Sequence, residues 1–243
     1  MKDIEELINN VTKYNNCLVQ RRFKSRKNTV AYVLKDNQPR ILKWYAPGLK
    51  KNMDKEYEVL LEGHKKLDMP FVYEKDNLNN VLVLNYFIGE NLCDVINDGL
   101  CPFHEKQRII VILADWFARF HHYFKKDEDF RIRGDAILRN FILSNSIIGV
   151  DFEESRIGKP VEDITTMCAS ILSSDPMFTF EKFQLCKIFI VTYRGSVEWK
   201  LENFNHELSY ALLQRIQWRP DDEDTLRRYA DKIKYQGFSR TIS

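Results

Sequence analysis

Glycine is scarce in this chain, nine among 243 residues, so few positions allow the backbone to approach a bound group closely. Cysteine is sparse as well. Cys17, Cys93, Cys101, Cys168 and Cys186 form an odd, scattered set without a CxxC pair, which fits reduced thiols better than a disulfide framework or a zinc site. Neither sign of charge dominates. Lys and Arg total 37 against 35 Asp and Glu, a net charge of +2, so composition argues for neither nucleic acid nor an acidic substrate. Long apolar runs are missing too: runs such as the one near Lys187–Tyr193 are too short to span a bilayer. Residues Met1–Asn10 are acidic and amphipathic rather than a basic leader into an apolar core, so no signal peptide is expected. No internal repeat or low-complexity segment is present. A cytoplasmic protein is the expectation.

What is present is an ordinary globular composition, 44% hydrophobic and 30% charged, with length for one large domain or two small lobes. Ile4, Leu7, Ile8 and Val11 recur at helical spacing. Leu18–Phe23, Val30–Leu34 and Ile41–Tyr45 read as strands separated by turn-prone residues at Ser25–Asn28 and Asp36–Pro39. Pro47-Gly48 breaks the chain before a helix from about Asn52 to Leu67, ended by Met69-Pro70. Phe71–Tyr73 and Val81–Tyr86 add two strands. The pattern predicts an α+β chain: a five-stranded antiparallel sheet with one helix over residues 1–86, a hinge at 87–90, and a mainly helical lobe over 91–243. Helices are expected at Glu105–Lys125, with Ile109, Ile112, Leu113, Trp116, Phe117 and Phe120 facing inward, and at Val161–Leu172, Phe180–Lys200, Glu207–Ile216 and Asp224–Lys234.

The chemistry gathers in one stretch. Asp135 is followed five residues later by Asn140, and eleven residues after that by Asp151. Between Asn140 and Asp151, Phe141-Ile142-Leu143 and Ile147-Ile148-Gly149-Val150 flank Ser144-Asn145-Ser146, the pattern of a β-hairpin with a polar turn. Such a hairpin carries Asn140 and Asp151 at its open ends as oxygen ligands for one cation. An Asp able to accept a hydroxyl proton and two oxygen ligands for magnesium are the minimum equipment for phosphoryl transfer.

These residues, in this order, resemble the protein-kinase-like phosphotransferases over about Val19–Leu172. A lone lysine on a strand is usually a solvated edge residue, and an Asp and an Asn five apart occur by chance; the joint order carries the resemblance. It implies a bilobal protein-kinase-like fold, with ATP and magnesium as cofactors. Lys43 stands where that family keeps its phosphate-contacting lysine, and Glu56 matches the helix glutamate that pairs with it. Val81–Leu92, which contains Asn85 and Tyr86, looks like the family's stretch that holds adenine through backbone groups. Asp135 matches the catalytic Asp, Asn140 the metal-binding Asn, and Asp151-Phe152-Glu153 the metal-binding triplet. Gly158–Ile164 is similar to a helix start in aminoglycoside and choline kinases, where the residue equivalent to Asp163 buttresses the catalytic loop.

Departures narrow the branch. The family's glycine-rich loop should fall at Phe23–Thr29, which has no glycine; either Lys24, Arg26 or Lys27 reaches phosphate by its side chain, or the loop is solvated. Arg133 replaces the usual His, and could bond carbonyls or a carboxylate. Arg139 stands where tyrosine kinases place an arginine for the transferring phosphate, and is a candidate charge clamp. Asp163 follows Asp151 by only twelve positions, too few for a peptide-docking activation segment. That points to the small atypical branch: RIO and KEOPS-type kinases, lipopolysaccharide-core sugar kinases, and aminoglycoside or choline phosphotransferases. His121-His122 suits helix-end packing better than metal. The basic stretch from Arg215 to Lys234 is interleaved with acids and reads as a solvated helical face; nucleic acid is not expected as a partner.

The resulting expectation is an ATP- and magnesium-dependent phosphotransferase acting on a hydroxyl of a small molecule or a glycan or lipid head group. The alternatives are a pseudokinase or ATPase-type regulatory subunit, or an atypical Ser/Thr protein kinase with a partner protein as substrate.

Overall fold

A computed structural model describes residues 4–23, 25 and 27–241. They divide into two compact units: the chain up to Ile88 together with Ile148–Glu154, and Gly89–Ile147 together with the chain from Ser155 onward.

In the first unit, α1 (Ile4–Asn10) buries Ile4, Leu7 and Ile8, the stripe that helical spacing dictates. Strands β1 (Cys17–Phe23), β2 (Thr29–Lys35) and β3 (Gln38–Trp44) follow, then α2 (Lys50–Gly63), β4 (Val72–Asp76) and β5 (Val81–Asn85). They form an antiparallel sheet of order β1-β2-β3-β5-β4. Asp36 and Asn37, at φ 52° and 59°, make the two-residue turn between β2 and β3, where Lys35 pairs with Gln38; Asn and Asp tolerate this left-handed conformation best among residues with side chains. β3 therefore starts three residues earlier than the Pro at position 39 suggests. Pro39 is tolerated because the β5 pairing begins only at Arg40, so the missing N–H interrupts no ladder there. α2 stops at Gly63 rather than Leu67; the N–H groups of Lys66 and Leu67 both turn back to the Gly63 carbonyl, each at 2.9 Å. Ile4, Leu7, Tyr14, Val33, Leu42 and Val83 belong to one apolar core.

The second unit opens with β6 (Glu90–Asn91) and α3 (Leu92–Asn97), then α4 (Phe103–Tyr123) and β7 (Phe130–Ile132). After a single 3-10 turn, Leu138–Asn140, come β8 (Phe141–Leu143) and, at the unit boundary, β9 (Ile147–Gly149). The Ser144 N–H closes the expected polar turn onto the Ser146 carbonyl at 2.9 Å. The chain ends with β10 (Arg156–Gly158), α5 (Pro160–Leu172), α6 (Phe180–Gly195), α7 (Phe204–Gln214), α8 (Glu223–Gln236) and α9 (Phe238–Thr241). α4 buries Ile109, Leu113, Trp116, Phe117 and Phe120 as its periodicity requires, with Ile110 buried in place of Ile112. β7 pairs antiparallel with β10; at three residues each, neither carries enough alternation to be read from sequence. α6 ends at Gly195 instead of reaching Lys200. Among the described residues no helix is long and apolar enough to cross a membrane.

α6 contributes one buried cation. Lys182, 3% exposed, donates to the Ser174 hydroxyl at 2.8 Å and to the Ser174 carbonyl. Burial, only partly offset by Cys93 and Asp175, pushes its ammonium down to about 8 from 10.5. The unfolded chain therefore binds more protons than the folded one between those values, so this group adds stability as pH rises through the window. The stability gap between Lys182→Met and the wild type is expected to shift by about 3 kcal/mol in favour of the wild type between pH 7.5 and 10.5, as read from urea unfolding.

Candidate active site

Within the first unit, strand alternation puts Lys43 and Tyr45 on one face, and α2 brings Glu56 beneath them. The Lys43 ammonium, 5% exposed, donates to Glu56 Oε2 at 2.6 Å and to Asp151 Oδ1 at 2.5 Å, with Glu153 Oε2 at 3.3 Å. The Tyr45 hydroxyl donates to Glu56. Burial opposes the lysine charge, yet the carboxylates of Asp151, Glu56 and Glu153 outweigh it and hold the ammonium well above its ordinary value. Burial also pushes the Glu153 carboxyl up, against the pull of Lys43. Asp151 sits at φ 65°, a left-handed conformation an Asp side chain tolerates better than most.

The carboxylate oxygens of Glu56, Asp151 and Glu153 lie within 4.8 Å of one another. An all-oxygen donor set suits a hard divalent cation. Asp151, with 41% of its side chain exposed against 1% for Glu56 and 7% for Glu153, is the member able to turn toward a ligand. The glycine-free loop is fastened here by side chains: Asn28 donates to Glu153, and Lys27 pairs with Glu154. Lys27 is thus engaged with a carboxylate, while Lys24 and Arg26 lie outside the described residues.

In the second unit, Asp135 opens the turn that ends at Asn140. Gly134 precedes it at φ 79°, a conformation costly for any residue with a Cβ. The Asn140 amide donates to the Asp135 carbonyl at 2.9 Å and to its carboxylate at 3.1 Å, which leaves the Asn140 side-chain oxygen to act as a donor atom for a cation. Asp163 holds the turn from below. Its Oδ2 accepts the Arg133 N–H at 2.7 Å and its Oδ1 the Gly134 N–H at 3.0 Å. A buried relay backs it: Trp199 Nε1 donates to the Tyr193 hydroxyl at 2.9 Å, Tyr193 donates to His121 Nδ1 at 2.8 Å, and His121 Nε2 donates to Asp163 at 3.1 Å. His121 is thus an anchor of the loop. The Arg133 guanidinium lies over the rings of Phe141 at 4.6 Å and Trp116 at 5.3 Å. Asp163→Ala leaves a buried and a part-buried backbone N–H group and a buried imidazole without their acceptor, and an expected loss of at least about 3 kcal/mol is measurable by urea unfolding.

The structure brings Lys43, Glu56 and Asp151 into direct contact, and Asp135 and Asn140 into another. Arg139 is exposed on the latter turn, its carbonyl held by the Asn91 amide at 2.8 Å. Asn85 and Tyr86 stand apart from the carboxylates. The Asn85 side chain accepts the Phe71 N–H at 2.7 Å, and the Tyr86 ring stacks on Tyr32 with centroids 4.1 Å apart. Sequence reasoning missed Tyr45, which the period of two along the strand could have revealed, and Asn28, which no local signal marks; it named Glu153 only within the metal-binding triplet and His121 only as helix-end packing. Arg215 and Arg219 depart from the solvated face expected of them: both bond Ser173, just past α5.

No protein-family model and no curated protein matches the chain. Solved structures are similar over almost its full length. An aminoglycoside 2′-phosphotransferase-IIIa, in its GDP complex, superposes with a TM-score of 0.63 at 14% identity, covering 99% of this chain and 100% of that one. Macrolide 2′-phosphotransferase MphH from Brachybacterium faecium gives 0.60 at 10% identity, covering 95% and 98%. Choline kinase LicA from Streptococcus pneumoniae gives 0.58 at 14%, covering 98% and 97%. The chain shares the α+β fold of these phosphotransferase and kinase structures.

Proposed function

We propose that this protein is an ATP- and magnesium-dependent phosphotransferase that moves a γ-phosphate to a hydroxyl of a small molecule or of a glycan or lipid head group. The observation that carries the proposal is the buried Lys43 ammonium, oriented at 2.6 Å by Glu56 and shared at 2.5 Å with Asp151. That is how a lysine would be held charged and in place for phosphate oxygens. In this reading Lys43 exchanges its Asp151 contact for the phosphates, and Asp151 and Asn140 are the magnesium ligands. Bound magnesium supplies neutralisation of the phosphate charge. Asp135 orients the acceptor hydroxyl and takes its proton, and backbone groups at Asn85 and Tyr86 hold the adenine. Catalysis then comes chiefly from positioning and charge compensation. The names of the similar structures, all phosphotransferases or kinases of small molecules, support a small acceptor.

The test is thermal stabilisation by ATP with and without magnesium, together with ADP release in the presence of hydroxylated metabolites. Stabilisation that needs magnesium, with acceptor-dependent ADP release, is expected. Stabilisation without any ADP release would favour a nucleotide-sensing regulatory subunit, and no stabilisation at millimolar nucleotide would sink the proposal. Arg139→Glu, reversing the proposed clamp on the transferring phosphate, is expected to reduce turnover by at least about a hundredfold while leaving nucleotide-dependent stabilisation in place. Unchanged turnover would assign Arg139 to the surface.

A further inference from the structure

The geometry points to Arg215 as the residue that binds an anionic group, a carboxylate or a phosphate, on the acceptor molecule. This rests on the phosphotransferase reading above and narrows its substrate class to anionic hydroxylated compounds.

Arg215 begins the 3-10 turn Arg215–Trp218 that follows α7. Among the described residues its half-buried guanidinium makes one hydrogen bond, from Nε to the neutral Ser173 hydroxyl at 3.2 Å. Among the described residues neither Arg215 nor Arg139 has an ion pair. Arg219, one turn further on, shows the contrast: it is paired with Asp175 and Asp222, both at 2.6 Å, and is satisfied as a structural clamp. A guanidinium does not shed its proton in a protein and carries five N–H donors. Arg215 therefore keeps a full charge and most of its donors for something outside its own unit's side chains.

Its place beside the candidate catalytic turn is set by α5. Ser170 and Ser173 lie three residues apart at the end of that helix, on one face. The Ser170 hydroxyl accepts the Leu138 N–H of the catalytic turn at 3.1 Å, and the Ser173 hydroxyl accepts from Arg215. The turn carrying Asp135 and Arg139 and the Arg215 guanidinium are thus docked on neighbouring positions of one helix end. Burial is the largest penalty on the Arg215 charge; Asp135 partly offsets it, and Arg219 and Arg139 add to it. A hydroxylated molecule with its hydroxyl at Asp135 would meet two arginines without carboxylate partners. An anionic group fits there by paired N–H···O bonds. A cationic acceptor, such as the choline named for one similar structure, would be repelled.

The test uses the full chain without nucleotide and two matched probe pairs, glycerol 3-phosphate with glycerol and glucuronate with glucose, followed by calorimetry. Wild type is expected to bind at least one anionic probe at least about tenfold more tightly than its neutral partner, and the stronger arm names the group as phosphate or carboxylate. Arg215→Gln is expected to erase that preference and Arg215→Lys to keep part of it. Circular dichroism establishes that the variants are folded, and if Arg215→Gln is not, a severalfold loss in Arg215→Lys carries the test. Absence of binding by either anion, equal binding of charged and neutral partners, or a preference that survives Arg215→Gln overturns the inference. These readouts are independent of ATP: their failure beside intact ADP release leaves the phosphotransferase reading standing, and anion binding without ADP release does the reverse.

Discussion

Asp135→Asn is expected to reduce acceptor-dependent ADP release by about a thousandfold while leaving stabilisation by magnesium and ATP unchanged. The substitution is nearly isosteric, and the Asn140 amide keeps its bond to the main-chain carbonyl of residue 135 at 2.9 Å. The turn also keeps its support from Asp163 through the Arg133 and Gly134 N–H groups. What disappears is the negative charge proposed to orient the acceptor hydroxyl and receive its proton. An amide can still accept a hydrogen bond but cannot take the proton at neutral pH. Turnover and nucleotide binding are therefore predicted to separate cleanly. Retention of more than about a tenth of the wild-type rate would remove Asp135 as the base, since positioned general bases contribute far more than that.

Lys43→Met is expected to destabilise the fold by about 3–5 kcal/mol, because one partner of a buried charge cluster is removed and the others remain. Glu56 and Glu153, both almost fully buried, would lose their cation while Asp151 stays close by. The penalty should depend on pH in a defined direction. The Glu153 carboxyl is already pushed up by burial, and losing Lys43 removes the main influence holding it down. A carboxyl with a raised folded value destabilises the native state above that value, and the cost is relieved as pH falls through it. Urea unfolding of Lys43→Met should therefore show a smaller deficit against wild type at mildly acidic than at mildly alkaline pH. Adding Glu56→Gln should recover part of the loss, since it takes away one of the orphaned charges; additive losses in that double-variant cycle would refute the coupling of the pair. Nucleotide-dependent stabilisation is expected to vanish in both variants.

Several features of this protein are decided by neighbours along the chain. Asp36-Asn37 specifies a tight turn because these side chains tolerate positive φ, and that turn sets the register delivering Lys43 to the inner face of β3. The periodicity of α4 names its buried face, and the spacing from Asp135 through Asn140 to Asp151 describes a turn and a hairpin that form locally. The ends of α2 and α6 were legible less well, because a glycine's effect on a helix depends on what bonds the freed carbonyls. Which distant groups meet is set by packing of the folded chain. Glu153 joins Lys43 from 110 positions away, Tyr193 and Trp199 support the turn from Asp135 to Asn140 through His121 and Asp163, and Arg215 reaches Ser173 across 42 positions. No period or turn residue encodes such pairs. A basic side chain on a helix looks the same in sequence whether water or a buried hydroxyl receives it, and packing alone distinguishes the two by withholding the water.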